Sequence, residues 1–350
     1  MRDLVFVPSF SLTPDKVVSY NSVFYKNKNE EKLIPIQSGK KTRANKFKNI
    51  TESNTIQRKS HNFTISDNAN RTLKKKINWL YYLAKSKSIK TYNHKEIYNF
   101  KIGFITLTLP SKQKTPTSDC NKLLLNTFLT EIRQRTAMKN YVWRLEFQKN
   151  GNVHYHLVTD TYLDFYLVKT VWNKILAHHG YIDSYRDKMQ NLSLTDYISK
   201  YNKDGKTDYS IMVKRYARNK RENWSNPNSV DVKSVISNKA IANYISKYFS
   251  KDSDSDVIKN EHDTDENSKN IRLWFCSRSL SKLNTVSNYC EAVDYDIFSI
   301  VSYCKKVRKV VTKYALITYF ELKEFTHNAR KWIEKILKDY SLKQGYIPSL

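Results

Sequence analysis

The chain has 350 residues, 40% of them hydrophobic, so it can bury a core and accommodate two or so domains. No apolar run approaches the ~18 residues of a transmembrane helix, and the segment after Met1 lacks the pattern of a secretion signal. No CxxC pair, and so no zinc module or disulfide framework, is indicated by the four cysteines, Cys120, Cys276, Cys290 and Cys304. These features predict a protein of a reducing cytoplasm with no membrane partner.

The charge balance favours a nucleic-acid partner. Lys and Arg number 61 against 33 Asp and Glu, which gives a net charge of +28. Such an excess attracts polyanions and makes their binding depend on salt. A further 13% of the residues are aromatic and able to stack on unpaired bases.

The first half of the chain passes from a polar segment to alternating strands and helices. Residues 1 to about 68 are basic with weak periodicity, and we expect Lys26 to Lys48 to be largely flexible. Helical spacing of apolar residues predicts a helix over 71–88, and alternation predicts a strand over 103–109. The same patterns then predict a helix over 119–137, strands over 141–148 and 152–158, and a helix over 166–178.

The second half begins with a basic stretch over 206–221 that contains Lys214, Arg215 and Arg218, which we expect to bind the DNA backbone. We then predict a helix over 238–251, an acidic loop over 252–270, a short strand over 271–277 and a mostly helical segment over 290–340. Helices mixed with an antiparallel hairpin indicate an α+β fold with a central antiparallel sheet and flanking helices. The expected domains are a basic N-terminal region with one helix (1–95), a central domain (96–289) and a helical C-terminal region (290–350).

The predicted hairpin holds two histidines that could share a metal ion. His154 and His156 are two apart on one strand, so their side chains leave the same face. The odd-numbered positions of both strands are apolar, which places the even-numbered ones together on the other face. That pairing requires an odd number of loop residues, for example three with Gly151 near the bulge, whereas a two-residue Asn-Gly turn would disrupt it.

On that shared face, Glu146 or Gln148 would be the third ligand beside the two imidazoles. Such a set leaves coordination positions open for water and substrate, as in a catalytic metal site. A His-x-His pair alone is a weak signal, because it also occurs by chance on strands.

The predicted helix over 238–251 carries a second chemical signal. Tyr244, Lys247, Tyr248 and Lys251 recur at i, i+3, i+4 and i+7, so they share one face. A tyrosine phenolate can attack a phosphodiester, and lysines can lower its pKa and hold the phosphate. An amphipathic helix with tyrosines at its margin is the structural alternative. A similar pattern surrounds Tyr197, but its helix is stopped at once by polar residues and glycine.

In their order, Phe104-Ile105-Thr106-Leu107-Thr108, then Glu146 through His156, then Tyr244-x-x-Lys247-Tyr248 resemble the motifs of the HUH endonucleases. Within that superfamily, the chain is most similar to rolling-circle replication initiators of single-stranded DNA phages and small plasmids. The resemblance covers about residues 100 to 280. It implies an RRM-like sheet, with the central domain as the nuclease and the tyrosine helix beside the metal.

The resemblance also implies an activity. His154, His156 and Glu146 (or Gln148) would bind Mg²⁺ or Mn²⁺, and Tyr244 would be the nucleophile that nicks single-stranded origin DNA. Lys247 would assist, and Tyr248 would make a second cleavage. The implied partners are a host helicase and DNA polymerase in a bacterial cytoplasm, with no small-molecule cofactor.

Other functions remain open at this point. A relaxase or tyrosine transposase would use the same chemistry. A non-catalytic RRM-like nucleic-acid-binding protein would bind DNA without metal and form no covalent product. A basic capsid or packaging protein would explain the N-terminal segment, but not the hairpin or the tyrosine helix.

Overall fold

A computed structural model describes residues 3–26, 33–35, 65–90, 97–235, 271–289, 299, 301 and 303–348. The chain divides into two compact units. The end unit combines residues 1–60 with 282–346, and the central unit contains residues 61–281 with 347–350. The sequence analysis treated the two ends of the chain as separate regions, whereas strands from both ends share one sheet. No helix in the described residues is long and apolar enough to cross a membrane.

The central unit is built on a five-stranded antiparallel sheet. Its strands are β6 (Ile102–Thr108), β7 (Tyr141–Phe147), β8 (Val153–Thr159), β9 (Val230–Val235) and β10 (Trp274–Cys276). They pair in the order β10-β7-β8-β6-β9. A separate short hairpin pairs β4 (Lys87–Lys90) with β5 (Ile97–Phe100). The predicted strands over 103–109, 141–148, 152–158 and 271–277 are therefore confirmed.

One face of the central sheet forms the main hydrophobic core. Trp143 and Leu145 of β7, Tyr155 and Leu157 of β8, and Ile105 of β6 are buried there. Alternation is the cause, because every second side chain of a strand points to the same face. The odd-numbered positions are therefore core positions, as predicted, and the even-numbered ones share the opposite face.

Helices supply the other side of this core. The first is continuous through three stretches: α2 (Thr117–Asp119), a π-helix (Cys120–Leu125) and α3 (Asn126–Arg135). Trp172 of α4 (Phe165–His178) packs edge-on against Phe128 and Tyr155. Beyond it follow α5 (Tyr181–Gln190), α6 (Leu194–Tyr201) and α7 (Tyr209–Arg221). On the remaining sides are α1 (Asp67–Leu83), which contacts β7, and α8 (Arg278–Ser281).

The end unit contains a second antiparallel sheet. Its strands are β1 (Asp3–Thr13), β2 (Lys16–Lys26), β3 (Leu33–Pro35), β11 (Val286–Tyr289), β12 (Val307–Val311) and β13 (Ala315–Phe320). Their order is β11-β1-β2-β13-β12, with β3 paired to β2. A 3₁₀-helix (Leu322–Glu324) and α9 (His327–Lys343) follow.

Two expectations about the chain ends are wrong. Residues 3–26 form an eleven-pair hairpin rather than an irregular polar segment. Residues 307–320 form strands within the segment that was expected to be mostly helical, although α9 agrees with the prediction. Polar residues alternate with apolar ones along these strands, and their partners are far away in sequence, so local periodicity gave a weak signal.

Taken together, the described residues form an α+β protein with antiparallel sheets flanked by helices, and the layout is consistent with an RRM-like arrangement. The predicted helix over 238–251 and the acidic loop over 252–270 lie outside the described residues, as does most of Lys26 to Lys48.

Candidate functional site

The turn between β7 and β8 sets the register of the candidate site. Phe147 pairs with Val153, so the connection has an odd number of residues, as the hydrophobic pattern predicted. The Gln148 amide donates to the Asn152 carbonyl at 2.9 Å, which leaves three residues in the loop. Gly151 has a φ of 80°, a left-handed conformation that glycine adopts without strain.

This register places the site residues opposite one another. Glu146 pairs with His154, and Arg144 pairs with His156. The two histidine rings are edge to face, with centroids 4.6 Å apart. The shared face that the sequence analysis predicted for these residues is therefore present in the structure.

Two threonines of the neighbouring strand β6 orient the imidazoles. Thr106 pairs with His156 and Thr108 with His154. The Thr106 hydroxyl lies 3.3 Å from Nδ1 of His156, and the Thr108 hydroxyl lies 3.1 Å from Nδ1 of His154. A hydrogen bond at Nδ1 fixes the ring and directs Nε2 as the donor atom toward any ligand.

Glu146 supplies the negative charge of the site. Its Oε2 lies 3.2 Å from Nε2 of His156, and its Oε1 lies 3.5 Å from Nε of the buried Arg144. Burial of the carboxyl raises its pKa, but the hydrogen bond with His156 and the nearby basic groups outweigh that effect. The net result holds the pKa of Glu146 below its usual value, so the carboxylate is ionised at neutral pH.

The site is protected on one side and accessible on the other. Arg144 and His156 are each 5% exposed, and Phe104 stacks on the His156 ring with centroids 5.7 Å apart. His154, Thr106 and Glu146 are only half-buried. A ligand that approaches from solvent therefore meets the Glu146 and His154 side of the cluster first.

The donor set suits a divalent cation, although it is not in a ligating arrangement. Two imidazole nitrogens and one ionised carboxylate are ligands that Mn²⁺ and Mg²⁺ accept, and the threonine bonds provide the outer-shell support of a metal site. Within the described residues, however, no three His, Cys, Asp or Glu side chains form a ready metal-binding group. Glu146 and His156 contact each other directly, so a cation would have to replace their hydrogen bond.

Two other oxygen donors differ from Glu146. Gln148 follows the last residue of β7 and closes the turn through its backbone. Asp231 of β9 pairs with Thr106, but its carboxylate binds Lys233 at 2.7 Å. Of the two candidates from the sequence, the structure brings Glu146 rather than Gln148 into contact with a histidine.

The tyrosine face lies outside the described residues: Tyr244, Lys247, Tyr248 and Lys251. Tyr197, the competing tyrosine, is described. It is buried in an aromatic cluster with Tyr216 and Trp224, and burial raises its pKa. A buried phenol with a raised pKa is a poor nucleophile at neutral pH, which is consistent with the preference for Tyr244.

The basic stretch predicted to bind DNA is helical. Lys214, Arg215 and Arg218 lie on α7 and are exposed to solvent. Exposed cations on one helix can neutralise phosphates without a desolvation cost. Their contact with DNA stays a prediction.

The sequence analysis gave no site role to Thr106, Thr108 or Arg144. A signal for the threonines was present, because they alternate with the buried Ile105 and Leu107 and so face the histidines once β6 neighbours β8. The order of strands in the sheet is not visible in local sequence, and these three residues could not be assigned without it.

Residues 102–206, which run from β6 to just beyond α6, match a family model of replication-associated proteins, the ORF2 type. The matched segment contains the hairpin with its histidines, and it ends before Tyr244. Neither curated proteins nor solved structures give a match to the chain. The family match is consistent with a rolling-circle replication initiator.

Proposed function

We propose that the protein is a rolling-circle replication initiator that nicks and rejoins single-stranded origin DNA. One observation carries the proposal: His154, His156 and Glu146 meet on one hairpin inside the segment that matches the replication-associated family. The net charge of +28 supports a DNA partner.

In the proposed reaction, His154, His156 and Glu146 hold Mg²⁺ or Mn²⁺. The bound cation supplies Lewis-acid polarisation of the scissile phosphate. Thr106 and Thr108 hold the imidazole rings so that Nε2 is the donor atom. The low pKa of Glu146 keeps its carboxylate charged, so the site attracts a cation at neutral pH.

The phenol oxygen of Tyr244 would attack the phosphorus and form a Tyr–O–P bond, while the bond from phosphorus to the 3′ oxygen breaks. The phenol proton ends on the released 3′ hydroxyl, so the step needs no oxidant or reductant. The 5′ phosphate stays on Tyr244, and the free 3′ end primes synthesis. Lys247 would stabilise the transferring phosphoryl group, and Tyr248 would make a second cleavage.

The proposed partners follow from this reaction. Single-stranded origin DNA is the substrate, and a host helicase and polymerase would extend the free 3′ end. Lys214, Arg215, Arg218 and Lys251 would contact the DNA backbone, and the proposed location is the cytoplasm of a bacterial host.

A denaturing gel with mass spectrometry tests the proposal. The full chain is mixed with Mn²⁺ and labelled single-stranded DNA pooled from the region that encodes it. Tyr244→Phe, Tyr248→Phe, Tyr197→Phe and His154→Ala are compared with the wild type, and EDTA serves as the metal-free control. We expect a metal-dependent covalent adduct that disappears in Tyr244→Phe and in His154→Ala.

The other outcomes are equally informative. An adduct lost only in Tyr197→Phe would keep the enzyme and replace its nucleophile. Tight DNA binding with no adduct from any pool would contradict nicking and favour a non-catalytic nucleic-acid-binding protein. If the adduct forms but nicking leads to mobilisation or insertion, the protein is a relaxase or transposase.

A further inference from the structure

The end unit presents a groove that the proposed nicking reaction does not use. The groove has a volume of about 670 Å³, and its lining comes from β1, β2 and the turn between β12 and β13. Six of the lining residues carry the argument: Phe6, Pro8, Ser19, Asn21, Lys313 and Tyr314.

Strand register explains why these side chains meet. Phe6 pairs with Val23 and Pro8 with Asn21, so all four lie on one face of the β1–β2 hairpin. Further along that face, Phe10 and Leu12 are buried. The face is therefore core at one end and open at the other, and the groove lies at the open end.

Two aromatic rings are exposed in the groove to a degree that stability does not require. Phe6 is 64% exposed and Tyr314 is 78% exposed. The turn that carries Tyr314 is held by hydrogen bonds, because the Thr312 amide and hydroxyl both donate to the Ala315 carbonyl, at 2.8 and 2.9 Å. A fixed, exposed ring is a stacking platform that loses little entropy when a planar ligand binds.

The charge around the groove points to a polyanion. Between residues 303 and 320 there is no acidic residue. The same segment carries five exposed cations, Lys305, Lys306, Arg308, Lys309 and Lys313. None of these five is ion-paired with an acidic side chain in the part of the chain that the structure describes, so they are available to phosphates.

We infer that this groove of the end unit binds single-stranded nucleic acid, with unpaired bases stacked on Phe6 and Tyr314 and phosphates neutralised by Lys313 and the basic strand β12. Ser19 and Asn21 add hydrogen-bonding groups for base edges. Base pairing in a duplex hides the faces of the bases, so stacking selects an unpaired strand. The inference goes beyond the proposed nicking function and is independent of its metal and its tyrosine.

Photo-crosslinking to the full chain tests the inference in EDTA, where nicking cannot contribute. The probe is an oligodeoxynucleotide of about 12 residues that carries 5-iododeoxyuridine, a length typical for such grooves. Cross-linked peptides are then identified by mass spectrometry. We expect adducts in peptides from residues 3–26 and 303–320.

The test variant is Phe6→Ala with Tyr314→Ala, and the matched control is Tyr303→Ala. Tyr303 is 59% exposed and does not line the groove. Loss of both stacking contacts should lower the cross-linking yield of these peptides at least about tenfold. Tyr303→Ala should leave it unchanged. If the alanine pair unfolds, Phe6→Leu with Tyr314→Leu keeps apolar volume and removes the rings.

Competition and charge variants complete the test. Unlabelled oligothymidylate or oligouridylate should displace the probe, and a duplex of equal length should not. Lys313→Gln should lower the slope of log affinity against log salt by about 0.7 for the groove peptides. An unchanged yield in the folded double variant, better competition by duplex, or a change in oligomeric state alone would overturn the inference.

Discussion

The Thr108 hydroxyl lies 3.1 Å from Nδ1 of His154, across two neighbouring strands and 46 positions along the chain. A metal bound at Nε2 would leave the proton on Nδ1, which then donates to the threonine oxygen. The threonine therefore holds the imidazole in the tautomer and orientation that metal binding needs.

Thr108→Val removes this bond while the side chain keeps its shape. We expect the affinity for Mn²⁺ to fall by about 10- to 100-fold, measured by titration followed by electron paramagnetic resonance. Thr130→Val is the matched control, because its hydroxyl bonds only to the Asn126 carbonyl of its own helix. Equal affinity in both variants would contradict the positioning role of Thr108.

Glu146 and Gln148 are separated by a second pair of substitutions. Glu146→Gln removes the charged oxygen next to His156, so we expect Mn²⁺ affinity to fall more than about tenfold and the DNA adduct to disappear. Gln148→Ala should change neither, because the backbone rather than the side chain of Gln148 closes the turn. The reverse result would make Gln148 the third ligand.

Exposed cations on α7 predict a salt effect rather than a catalytic one. Replacing Lys214, Arg215 and Arg218 together by Ala should weaken single-stranded DNA binding. It should also lower the slope of log affinity against log salt by about 2, which is about 0.7 for each lost contact. The adduct rate at saturating DNA should be unchanged. The control replaces three exposed lysines of α9, Lys331, Lys335 and Lys338, by Ala; an equal effect there would show that only net charge matters.

Tyr181 predicts how stability depends on pH. Burial raises the pKa of its phenol to about 12, and the hydroxyl lies 3.1 Å from Thr115 Oγ1. In the unfolded chain the pKa is near 10. Between pH 10 and 12 the folded chain therefore binds more protons than the unfolded chain, and its stability falls as pH rises.

Tyr181→Phe removes this titration. Urea unfolding at pH 9 and pH 11 should show the wild type losing about 1 kcal/mol more stability than the variant over this interval. The contribution of the phenol is fully present below pH 10. Parallel pH profiles for the two proteins would show that Tyr181 does not titrate in this way.

Much of the central sheet was predictable because its strands carry strong alternation. The same pattern decided the turn length, since a two-residue loop would have buried His154 and exposed Leu145. Residues 3–26 and 307–320 were not predictable as one sheet, because each pairs with residues far away in sequence and carries a weak local pattern.

The sequence by itself determined that two histidines and a carboxylate would share one face of a hairpin, because side chains alternate strictly along a strand. It also determined the charge that favours a nucleic-acid partner. Only the tertiary structure decided that β6 lies beside β8 and brings Thr106 and Thr108 to the imidazoles. Only the tertiary structure joined the two ends of the chain into a sheet with an exposed aromatic groove, since strand order depends on long-range pairing that no local pattern encodes.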